Sequence, residues 1–121
     1  MANNFNRPGE MFNFVNGATP VVSGQVVRIG NILGVALLDI AANATGSVAI
    51  EGVFTVPKVS GAVIAQGESL TWDVSAAAFD DNAAVPATGD VTGPPAVAFQ
   101  AAGNGVTTMA VKFTGVPGTV T

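Results

Sequence analysis

The side chains in this sequence best suited to chemistry are its acids. Asp80-Asp81-Asn82 is the densest run of oxygen ligands, Asp90 follows nearby, and Glu51, Glu68 and Asp73 are spread among apolar residues. Calcium gathers several carboxylate and carbonyl oxygens, and its ligand loops alternate their acids as D-x-D-x-D-G. No second carboxylate arrives here at such a spacing, so Asp80 and Asp81 are expected in an exposed acidic loop. Glycoside hydrolysis needs two acids facing one another across a cleft. Glu51, Glu68 and Asp73 fall on strands or at strand starts, where a solvated outer face accounts for them. Histidine and cysteine are absent, which removes the commonest general base, thiolate metal ligands and disulfides. Gly30 and Gly34 do not form a phosphate cradle. Neither Lys58 nor Lys112 follows a glycine or precedes Ser or Thr, so there is no G-x-x-x-x-G-K-[ST] loop. Both glycines read as turn residues. The expected catalytic, cofactor-binding and metal-ligating residues are none.

Charge and hydropathy narrow the partners. The basic residues Arg7, Arg28, Lys58 and Lys112 are scattered and the net charge is −4, whereas nucleic-acid binding depends on clustered Lys and Arg. Mean hydropathy is +0.51, yet the longest apolar run, Ile32 to Leu38, holds seven residues with a glycine inside. A spanning helix needs about twenty, so neither nucleic acid nor membrane is expected as a partner. Met1 to Pro20 is rich in Asn and has no apolar signal segment. Only 10% of residues are charged against 49% hydrophobic. A chain so poor in charge is expected to bury part of its surface against other subunits.

The elements that would position these residues are strands. Glycines and prolines punctuate the sequence at intervals suited to short strands, and Gln25 to Ile29, Leu33 to Asp39, Ser47 to Phe54, Ser69 to Asp73, Ala96 to Gln100 and Thr107 to Phe113 read as such. Asn104-Gly105 is expected to turn a hairpin between the last two, and Ala76-Ala77-Ala78 to begin at most a helical turn. Val35-Ala36-Leu37 leading to Val48-Ala49-Ile50 is echoed by Val97-Ala98-Phe99 leading to Met109-Ala110-Val111. Two similar hairpins packed face to face would supply most of a core. The expected fold is all-β, a small β-sandwich or jelly-roll-like barrel with an extended N-terminal arm. Its parts are the arm, residues 1–16, the body, 17–115, and a short tail, 116–121.

Five residues are candidates for partner binding. Phe5, Phe12 and Phe14 lie among polar residues of the arm, which either closes the parent barrel or docks onto a neighbour. Trp72, the single tryptophan, reads first as a core residue and second as an interface anchor. Lys58 follows Pro57, which halts its strand for want of an N–H. It reads first as a solvated charge and second as a contact to an acidic partner. Phe54 reads as core.

Three motifs carry a resemblance. Ser23-Gly24-Gln25-Val26-Val27-Arg28-Ile29-Gly30-Asn31-Ile32-Leu33-Gly34-Val35-Ala36 is followed by Glu51-Gly52-Val53-Phe54-Thr55-Val56-Pro57-Lys58 and then by Gln66-Gly67-Glu68-Ser69-Leu70-Thr71-Trp72-Asp73. In that order they resemble a family of small tailed-phage proteins described as capsid cement or decoration proteins, often carried under a recombinase label. The likeness spans roughly residues 3–115. It implies a protein on the outer surface of an icosahedral shell that stabilises joints between major capsid protein subunits. Its implied partners are the major capsid protein and further copies of itself, as a trimer rather than a dimer, with no cofactor. The alternative is a virion-surface module for host or glycan attachment, for which the absence of tyrosine leaves few aromatic side chains. An enzymatic reading, the recombinase label taken literally, lacks its phosphate loop and its bases.

Overall fold

The computed structural model describes residues 9–121, and among these every regular element is a β-strand. The first sheet holds β1 (Met11–Val15), β2 (Val26–Ile29), β3 (Ile32–Ala36) and β4 (Thr45–Ala49), in the order β1-β4-β3-β2. The second holds β5 (Glu51–Pro57), β9 (Ala96–Ala98) and β10 (Thr108–Thr114), with β10 central. The third is formed by β6 (Thr71–Asp73), β7 (Ala78–Asp80), β8 (Val91–Thr92) and β11 (Thr119–Val120), in the order β11-β8-β6-β7. All the ladders are antiparallel, and the sheets curl into a half-barrel, an all-β fold.

Alternation explains which side of each strand is covered. Along β10, Met109, Val111 and Phe113 are buried while Thr108 and Lys112 are exposed. The main core draws Leu33 and Val35 from the first sheet, Val56, Val111 and Phe113 from the second, and Trp72, Phe79 and Val91 from the third. Rings bind the last two sheets together. Trp72 lies 4.9 Å from Phe79, Phe79 lies 5.9 Å from Phe113, and Phe113 lies 5.9 Å from Phe54. A smaller cluster of Val21, Val27, Ala36, Ile40 and Val48 sits on the opposite face of the first sheet, with Phe14 packed against it.

The run expected as one strand from Ser47 to Phe54 is two. Ile50 separates β4 from β5, and its N–H donates to Glu10 O at 2.9 Å. Gly52, at φ +131°, adopts a backbone conformation that side-chain-bearing residues resist. The chain thereby turns a corner and passes from the first sheet to the second. Each member of the internal echo is nonetheless a strand pair, with Val35 opposite Ala49 and Ala98 opposite Val111.

Two turns differ from expectation, and a third region stays within it. Gly34 lies inside β3 rather than in a turn. A Cβ there would come within 2.5 Å of Val48 Cγ1 and 2.7 Å of Ala49 O, so the glycine permits close approach of β3 and β4. Asn104-Gly105 does not close a two-residue hairpin, because β9 ends at Ala98 and β10 begins at Thr108. The long connection instead bridges Ala102 to Ile64, and Gly105 N–H donates to Ser60 O at 2.7 Å. Ala76-Ala77-Ala78 starts no helical turn, since Asp73 Oδ1 accepts from Ser75 N–H, Ser75 Oγ–H and Ala76 N–H and bends the chain into the β6–β7 hairpin.

Candidate functional site

The candidate residues are dispersed. Phe5 lies outside the described residues. Phe12 and Phe14 are on β1, which pairs with β4 of the same chain, Phe12 standing opposite Val48 and Phe14 opposite Gly46. Phe14 is half-buried against the smaller cluster and Phe12 is at the exposed edge. Asn16 closes this segment with its amide, donating to the carbonyls of Thr19, Ile40 and Ala41. Trp72 is a core residue, 6% exposed.

Lys58 is 3% exposed, not the solvated charge its sequence context suggested. Its Nζ donates to Val59 O at 2.8 Å, Gly103 O at 3.0 Å, Val106 O at 3.2 Å and Ser60 O at 3.4 Å. The ammonium ties the chain after β5 to the connection before β10. The signal that could have located it is its place after Pro57. A strand ended by proline hands its next residue to a loop, where backbone carbonyls can accept from an ammonium.

Asp90, placed beside the acid run by the sequence, is a second buried charge whose burial that pattern did not signal. It is 4% exposed, and its oxygens accept from Val74 N–H at 3.1 Å and Ala87 N–H at 2.9 Å. The acidic run nearby serves local turns, since Asp80 Oδ1 accepts from Asp81 N–H and Asp81 Oδ1 from Ala83 N–H. Glu68 joins it at Asn82 N–H, 2.8 Å. Three hydrogen bonds to Asp73, that from Ser75 Oγ–H first, hold its carboxyl below the ordinary value of 3.8. Among the described residues no three acids converge as a metal site would require.

Two surfaces remain that can take a partner. The first is the outer face of the β5-β10-β9 sheet. Register sets Val53 and Val97 on either side of Lys112 and puts Thr55 beside Ala110, while Phe99 donates its N–H to Ala110 O at 3.1 Å and prolongs the row. Val53 and Phe99 are nearly half exposed, at 46% and 47%. Lys112 and Glu51 are the charged residues on these strands. The second is a groove of about 360 Å³ between Val26 and Arg28 on one side and Pro57, Trp72, Val74 and Ala77 on the other. No described helix is long and apolar enough to cross a membrane.

Asp73, Asp80, Asp81 and Asp90 thus serve backbone turns, on an all-β scaffold whose open surfaces are short of charge. The chain belongs to the phage cement protein family, whose model matches residues 6–113. Among curated proteins, none matches it. The family is structural, associated with the phage capsid.

Proposed function

We propose that this protein cements an icosahedral phage shell from its outer surface, lying across joints between major capsid protein subunits and adding interface there. The observation that carries the reading is the match to the cement family over residues 6–113. The exposed face carrying Val53, Thr55, Val97, Phe99 and Ala110 supports it, because a surface whose charges are Lys112 and Glu51 alone loses little on desolvation. A stable contact buries about 800 Å² per partner, and several contacts from one oligomer gain further from effective concentration. In this reading the protein acts as a homo-oligomer, a trimer rather than a dimer, performs no reaction and needs no cofactor. Phe12, at the exposed edge strand β1, would meet a neighbouring subunit, with Phe14 behind it on the same strand, and Phe5, earlier in the sequence, is assigned to the same contact. Lys58 and Trp72 act from within, holding the loops and the core behind the contact face.

The test is a heat and osmotic challenge of shells with and without the protein. Decorated shells are expected to retain DNA under conditions that open undecorated ones, and purified protein alone should restore that tolerance. Val53→Lys and Phe99→Asp should lower occupancy while leaving the monomer folded. Equal fragility of decorated and undecorated shells would refute cementing, and would favour attachment to a host or glycan instead.

A further inference from the structure

The groove beside β2 has the features of a strand acceptor. Among the described residues β2 is the last strand of its sheet and pairs with β3 alone. The Gly30-Asn31 turn makes Ile29 and Ile32 a bonded pair, and Ala36 N–H donates to Gln25 O at 3.0 Å. Antiparallel alternation then directs Val27 at β3 and leaves the N–H and C=O of Val26 and Arg28 pointing to the free edge. Opposite that edge stand Pro57, Trp72, Val74 and Ala77, an apolar wall. Arg28 is the groove's charged residue, exposed, with Nη1 donating to Gly30 O at 2.9 Å.

We infer that this groove receives one extended segment of a shell subunit, which adds to β2 as a further strand and carries a carboxylate opposite Arg28. The inference rests on the cement reading and specifies how the contact is made. Backbone bonds to Val26 and Arg28 would hold the segment, while alternate side chains met Trp72 and Val74. The occupant is a lone strand because the β6–β7 turn walls the groove. A second copy pairing its own β2 here about a two-fold axis would set two Arg28 side chains, like charges, together. The chain's own residues 1–8 contain no acid and bring Arg7 instead, so their charge does not complement Arg28.

The test is amide hydrogen exchange of the full chain, free and bound to shells assembled without it. The Val26 and Arg28 amides should slow by about tenfold or more on binding, with a change in Trp72 emission. Arg28→Glu, and Val74→Arg filling the groove, should each weaken shell binding by about tenfold while circular dichroism stays unchanged. If the wild-type protein binds shells with both amides exchanging as in the free chain, the groove is not the contact and the inference is overturned while cementing stands. If it binds no shell, cementing falls and the inference falls with it. Protection that appears on concentrating the protein alone would make a second copy the occupant. Protection in dilute protein that deletion of residues 1–8 abolishes would assign the groove to the chain's own start. Either result overturns the inference.

Discussion

Replacing Lys58 with methionine keeps most of the side-chain volume and removes the ammonium that four carbonyls share. Three of those carbonyls have a second donor. Val59 O also accepts from Ala62 N–H, Ser60 O from Gly105 N–H and Gly103 O from Val106 N–H. Val106 O accepts only from Lys58 among the hydrogen bonds described. The substitution therefore orphans one carbonyl, at about 1–3 kcal/mol, and removes charge-assisted bonds from three others that keep a partner. Against this stands the relief of desolvating a buried cation. The net loss should be about 2 kcal/mol, which for a domain of this size lowers Tm by about 6–10 °C. Urea unfolding followed through Trp72 emission measures it, with an unchanged m-value showing that the unfolded state is unaltered. Lys58→Glu should not fold, because a carboxylate would face four carbonyl oxygens. A Lys58→Met protein as stable as the wild type would refute the cage as a source of stability.

Gly34→Ala should cost roughly 1–3 kcal/mol, since its methyl would meet Val48 and the Ala49 carbonyl; the same urea titration reads it. Asp73 has a folded-state pKa lowered chiefly by Ser75, so its contribution is present above pH 3.8 and fades as pH falls through the lower folded value. Solvent exposure makes that contribution small, and Asp73→Asn should flatten the acid limb of a Tm-versus-pH curve slightly. A steeper limb would contradict the sign. Asp80→Asn with Asp81→Asn should leave calcium affinity undetectable by calorimetry before and after, and Tm nearly unchanged.

The strand content was legible because apolar alternation and glycine spacing act locally, and β2, β3 and β10 fall where those patterns place them. The corner at Ile50 was not, because nothing in Ser47–Phe54 differs from a continuous strand except Gly52, and a glycine there reads equally as a bulge. Gly34 looked like a turn because the sequence carries no sign of how near Val48 comes. Asp73 shows the same limit at short range, since its carboxylate redirected three residues of good helix formers. The buried charges were the hardest. Lys58 and Asp90 are satisfied by backbone groups up to 48 residues away, and residue types do not mark such partners, the place of Lys58 after Pro57 being its one local sign. The acid run was misplaced as well, since Asp80 ends β7 opposite Thr71 and both it and Asp81 are half-buried rather than in an exposed loop.

The corner at Ile50 has a mechanical side. It makes β4 and β5 one covalent line running from the first sheet into the second, with seven paired positions between β5 and β10. Ladder bonds lie across the strands, so tension drawn along that line loads all seven positions in shear together rather than peeling them one at a time. A pull applied at the β5-β10-β9 face is thus spread over a whole ladder before it reaches the other sheet.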